Sequence, residues 1–313
     1  MRKLITIGFA IVLFWGTVAG QNTKNYTPVN MYMLNPLLVN PAYSGTKESM
    51  SANMMLGANW LDMPGATLGK ASAAGWMQTA SFDYPLSPKN AVGFVIRNNT
   101  FGVNNNFVFY GHYSYQINTG VGNLSFGLRA GLTSYNRNLQ KANFRQDGDP
   151  VQQFDYSRMY PNFGVGIYWY SNNYNLGLSI PDFFFPPLGS ESFDTDPKNY
   201  NYTLLGGYLF RISDNFKIKP STMLIYSIGA PLSYNLNLNF ITAQDRVWAG
   251  LGYKQQGFIA LLEFQVVSYL RIGYAWEYPL GLVKDFAPWG SHEIMIRFDN
   301  TWTVRKVSDV YFW

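Results

Sequence analysis

No cysteine occurs among the 313 residues, which excludes disulfides, thiolate metal sites and a lipid-modified cysteine. Histidine occurs only as His112 and His292. Charged residues are 13% of the chain, well below the roughly 25% of soluble domains. The basic residues are scattered, which argues against nucleic acid as a partner. Beyond residue 20 no apolar run approaches the ~18 residues that mark a transmembrane helix. Aromatic side chains, by contrast, reach 18%. A charge-poor, aromatic-rich chain without helical spans must place its apolar surface on period-two strands, the profile of a membrane barrel.

The first residues read as a leader. Arg2 and Lys3 precede the apolar stretch Leu4 to Trp15, and Val18-Ala19-Gly20 supplies small residues ahead of Gln21. This order predicts a Sec signal peptide over residues 1–20, cleaved after Gly20. The stretch is too short for a membrane anchor of ~20 residues. Removing Arg2 and Lys3 lowers the formal charge from +5 to +3.

Alternation dominates the rest. Leu124, Phe126, Leu128, Ala130 and Leu132 point one way, and Ser125, Gly127, Arg129, Gly131 and Thr133 the other. Tyr234, Leu236, Leu238 and Phe240 oppose Asn235, Asn237 and Asn239. Leu270, Ile272, Tyr274 and Trp276 oppose Arg271, Gly273, Ala275 and Glu277, and Ile294, Ile296 and Phe298 oppose Glu293, Met295, Arg297 and Asp299. About fourteen such segments run from 51–62 to 291–300, with 90–98 and 106–117 as successive members.

Every second connection is brief, as at Ser87-Pro88-Lys89, Asn172-Asn173 and Ala243-Gln244-Asp245. The alternate ones include the long stretches 137–159, 182–199 and 279–290. That parity predicts an antiparallel outer-membrane β-barrel over 50–300, with short periplasmic turns, long outer loops and periplasmic termini. Residues 21–49 form an extended lead-in, and 301–313 a periplasmic tail. Trp60, Trp76, Trp169, Tyr202, Tyr226, Trp248 and Trp276 lie near segment ends, where aromatic girdles meet the membrane interfaces.

Residues 31–45 read Met-Tyr-Met-Leu-Asn-Pro-Leu-Leu-Val-Asn-Pro-Ala-Tyr-Ser-Gly. Pro36 and Pro41 each remove a donor and push Asn35 and Asn40 out of the helical region, so the stretch is extended or turned. Gly45 allows a sharp bend into the first strand. The pattern Asn35-Pro36, then Asn40-Pro41-Ala42-Tyr43-x-Gly45, resembles the N-terminal hallmark of the PorP/SprF family. Gly177-Leu178-Ser179-Ile180-Pro181 resembles a mid-barrel segment of that family, and Ser291-His292-Glu293-Ile294-Met295 its last strand. Val307 to Trp313 is similar to a family tail that ends in Tyr-Phe, with Trp313 added here.

The resemblance implies a non-enzymatic outer-membrane barrel of the type IX secretion system, the export route of Bacteroidetes-like bacteria. Its implied partner is a secreted cargo protein, such as a large gliding adhesin, engaged through its C-terminal domain. Two other readings are a diffusion porin for small solutes and a structural link to periplasmic secretion or motility components.

Little in the chain suggests catalysis. His112 belongs to the polar row Val108, Tyr110, His112, Ser114 and Gln116, with no placed nucleophile or orienting group. His292 falls at the outer rim. Gly-x-Ser-x-Gly and His-Glu-x-x-His are both absent. Asp147-Gly148-Asp149-Pro150 does not continue as a calcium loop, so neither metal nor cofactor is expected.

Arg97, Arg129, Arg211, Lys217, Lys219, Arg271 and Arg297 are expected to face the lumen with Glu263, Glu277, Glu293 and Asp299. They either pair with one another or line a pore. Phe183-Phe184-Phe185-Pro186-Pro187, in a long outer loop, fits either a stiff cargo-docking surface or a lid over the mouth.

Overall fold

Strands apolar on one face cannot lie in lipid with a free edge, because unpaired N–H and C=O groups would be stranded away from water. The chain meets this by closing on itself. The computed structural model describes residues 29–60, 67–68, 71–72, 75–139, 155–184, 196–255, 257–281 and 283–300. The expected leader 1–20, Phe185, Pro186 and Pro187 of the outer loop, Asp147 to Pro150, and the tail 301–313 lie outside the described residues.

Fourteen antiparallel strands form one sheet. They begin with β1 (Met50–Asn59), β2 (Gly75–Pro85), β3 (Asn90–Phe101), β4 (Asn104–Asn118) and β5 (Asn123–Arg137). Next come β6 (Tyr156–Tyr170), β7 (Tyr174–Ile180) and β8, which runs Tyr202–Tyr208 and resumes as Phe210–Ser213. Then follow β9 (Phe216–Tyr226), β10 (Ser233–Thr242) and β11 (Val247–Lys254). The last are β12 (Gly257–Val267), β13 (Leu270–Pro279) and β14 (Ser291–Asn300). Each strand pairs with its sequence neighbours, and β1 pairs with β14 from Met50↔Asn300 to Ala58↔His292, closing the ring. A small hairpin, Thr67–Leu68 with Ala71–Ser72, sits between β1 and β2.

One rim carries only turns, at 86–89, 119–122, 171–173, 214–215, 243–246 and 268–269. The opposite rim carries the long connections, as the parity predicts. One boundary differs: β3 and β4 extend further than expected, leaving only Gly102 and Val103 between them, with Gly102 at φ +57. β4, β5 and β6 each have 15 residues, beyond the 9–11 a tilted strand needs to cross hydrocarbon. The wall therefore stands highest on that side. Outward positions are apolar, as at Leu128, Leu251 and Phe258, each more than half exposed.

A segment of the chain occupies the lumen. Residues 29–49 lie inside it, making tight 3₁₀ turns at Tyr32–Leu34, Pro36–Leu38 and Pro41–Tyr43. Each Asn-Pro pair starts a turn, with proline's fixed φ suiting the first position. The Asn40 side chain caps the last turn by accepting from Ala42 N at 3.0 Å. Opposite the turns the wall is not wholly polar, because Met55, Met77, Met223 and Met295 join the buried apolar cluster around them. Methionine's flexible side chain fills irregular gaps of this kind.

Candidate functional site

The lumenal segment descends the full height of the barrel. At the outer end Asn30 N donates to both Glu293 oxygens, at 2.9 and 3.1 Å, and Asn30 Nδ2 donates to Glu277 Oε2 at 3.1 Å. Lys254 pairs with Glu277 and donates to Asn30 Oδ1 at 3.0 Å. Midway, Arg297 Nη1 donates to Leu34 O at 3.3 Å, and Asn35 Nδ2 to Ser81 Oγ at 2.8 Å. Near the turn rim, Ser179 Oγ donates to Val39 O at 2.7 Å and Ser114 Oγ to Ser44 O at 2.8 Å. Gly45 N donates to Asp83 Oδ2 at 3.1 Å, and Lys47 pairs with Asp299 at 3.1 Å.

Asn40-Pro41-Ala42-Tyr43 rests on a part of the wall that lacks side chains. A Cβ on Gly127 would meet Ala42 N at 2.1 Å, and one on Gly166 would meet Asn40 Oδ1 at 2.1 Å. Asn40 Nδ2 donates to Ile167 O at 3.1 Å and Leu178 O at 3.3 Å, bridging β6 and β7. Tyr43 meets Tyr168 edge-on, with ring centroids 5.5 Å apart. Residues 35–45, the stretch 177–181 and Glu293 thus belong to one lumenal assembly, although they are far apart in sequence. Asp83 and Gly166 carry no signal of their own in the sequence, and Ser114 and Gly127 stand there only as members of polar or small rows.

The remaining charges sort by neighbourhood. Arg297 lies between Glu263 at 3.1 Å and Asp299 at 3.0 Å, and Arg271 meets Glu263 at 3.1 Å. Glu263, Glu293 and Arg297 are almost fully buried. Taking such ions out of water is costly unless each is paired and hydrogen-bonded. Lys217 pairs with Asp245 at 2.6 Å. Arg211 departs from the expected lumenal row: it is exposed at the turn rim, donating to Asn172 O at 3.2 Å and to Asn173 Oδ1. A bulge ends β8 there and breaks the alternation. Trp248 also departs from its expected place in the girdle. It faces inward, 5% exposed, with Lys219 Nζ 5.3 Å from its ring. Trp76, Trp169 and Trp276 are outward and exposed.

His112 is buried opposite Arg129, and among the described residues neither ring nitrogen has a hydrogen-bond partner. His292 bonds Trp289 O at 3.0 Å and Tyr274 Oη at 2.6 Å on the outer face. No group of His, Asp and Glu among the described residues could hold a metal ion. The start of the outer loop turns inward: Arg129 donates to Pro181 O, and Arg129 Nη2 and Tyr110 Oη reach Asp182 Oδ1 at 2.6 and 2.7 Å. Phe183 and Phe184 are half-buried, edge-on to Tyr200 and Phe163 at 5.2 and 5.9 Å.

Among solved structures, a Pseudomonas aeruginosa FadL homologue is 11% identical, with 89% of this chain and 96% of that one covered at TM-score 0.51. The P. putida toluene transporter TodX is 11% identical over 88% of this chain and 93% of its own, at TM-score 0.45. The first likeness supports the outer-membrane barrel fold alone. No curated protein matches the chain. The model of the type IX secretion system membrane protein family PorP/SprF matches residues 21–298. The chain is therefore an outer-membrane β-barrel belonging to the PorP/SprF family of type IX secretion system membrane proteins.

Proposed function

We propose that this barrel receives or anchors a type IX cargo protein at the cell surface, through the cargo's C-terminal domain, and is neither an enzyme nor an open pore. In this reading residues 1–20 direct Sec export, 29–49 occlude the lumen, and the tail 301–313 serves contacts with periplasmic secretion or motility components. A gliding adhesin of a Bacteroidetes-like cell is the kind of cargo that fits. One observation carries the reading: residues 29–47 are buried along the lumen. A porin needs that space for water and solute, whereas an anchor does not.

Contact with cargo is assigned to Phe183, Phe184, Phe185, Pro186 and Pro187, with Asp182 fixing the base of the loop. Replacing Phe183, Phe184 and Phe185 by Ser should release cargo from the surface while barrel abundance stays unchanged. Retention equal to the parent would overturn this assignment.

A further inference from the structure

Arg97 projects into the lumen from β3 on the high side of the wall and is 9% exposed. Among the described residues it meets no carboxylate and no hydrogen-bond acceptor. Its in-register neighbour on β2 is Thr79, 5% exposed, whose hydroxyl also lacks a partner. Two adjacent buried donors, one of them a permanent cation, thus face the same part of the lumen. The guanidinium is largely withdrawn from water with no counter-charge to offset that cost, and its residual exposure leaves it reachable from the lumen.

The same wall shows how such a group is satisfied. Arg129 on β5, nearer the turn rim, is met by Asp182, which folds in from the outer connection after β7. Tyr110 shares that carboxylate and pairs with Val95, the inward position next to Arg97. A carboxylate delivered from the outer side therefore already occupies the adjoining position.

We propose that Arg97 and Thr79 form a second carboxylate site, filled by an acidic side chain on an extended segment of the secreted partner entering through the outer mouth. This rests on the cargo reading for the origin of the segment. The chemistry itself is independent of it: a charge-assisted fork to the guanidinium and one hydroxyl donor.

The test uses the full-length protein in detergent and a hexa-aspartate peptide, with hexa-asparagine as the neutral control. Hexa-aspartate should bind more tightly than hexa-asparagine, and added salt should weaken it. Arg97→Gln should weaken binding about tenfold or more, and Arg97→Lys and Thr79→Val should weaken it less. Arg97→Gln should leave the unfolding midpoint equal or higher, since it removes an uncompensated buried charge. Equal binding of the two peptides, unchanged binding in Arg97→Gln, or a lowered midpoint would overturn the site. Cells carrying Arg97→Gln that keep their cargo, although the purified variant loses the peptide, would overturn only the site's use for cargo.

Discussion

Asn40 sits over Gly177, where a Cβ would come within 2.8 Å of its Nδ2. The amide nitrogen donates instead to the carbonyls of Ile167 and Leu178 on either side of the β6–β7 seam. Two segments separated by more than a hundred residues are thus matched as side chain and gap. The gap exists only because the wall carries glycine there.

Adding a methyl group at these gaps should loosen the lumenal segment. Gly127→Ala places a Cβ 2.1 Å from Ala42 N and 2.4 Å from Ala42 Cα, and backbone cannot give way as a flexible side-chain end can. The expected cost is about 1–3 kcal/mol or more, read as a lower unfolding midpoint in urea. Gly206→Ala is the control, because its nearest neighbour would be Thr222 Cγ2 at an ordinary 3.6 Å. Equal effects at both positions would contradict this account of the gap.

The paired charges predict a graded response. Asp299→Asn strips Lys47 of its ion-pair partner and Arg297 of one of two, leaving buried cations undercompensated. A loss of about 3–5 kcal/mol is expected, the usual result of breaking one side of a buried pair. Lys47→Met combined with Asp299→Leu should recover part of it. Urea titrations of the three proteins check the order.

Asp182→Asn tests the inward-turned loop base. Arg129 is 3% exposed and would keep only the Pro181 carbonyl, while Tyr110 would lose its carboxylate. The loop after β7 should then be cut faster by external protease on intact cells, with the rest of the barrel resistant. An unchanged cutting rate would mean that Asp182 does not hold the loop.

Brominated lipids should sort the tryptophans by face. In single-tryptophan variants, Trp76 and Trp276 lie outward and should be quenched, whereas Trp248 beside Lys219 should be spared. Quenching of Trp248 would contradict its inward placement.

The barrel was legible because lipid forces strict alternation: rows such as Ile294, Ile296 and Phe298 against Glu293, Met295 and Arg297 admit one assignment of faces. Trp248 shows that residue type near a strand end does not fix the face, whereas its alternation with the outward Leu251 marks it as inward. Arg211 leaves its expected row because a bulge interrupts the period-two rule. The lumenal segment was visible as two Asn-Pro punctuators. Its docking wall was not, because close approach between distant glycines and Ala42 leaves no local periodic signal.

Conductance of the purified full-length protein in a planar bilayer bears most directly on the central claim. With residues 29–49 held by Glu293, Ser179, Asp83 and Asp299, the account predicts a closed baseline at moderate voltage. It also predicts brief openings, more frequent in Gly127→Ala. A steady, solute-sized open pore in the unmodified protein would contradict it.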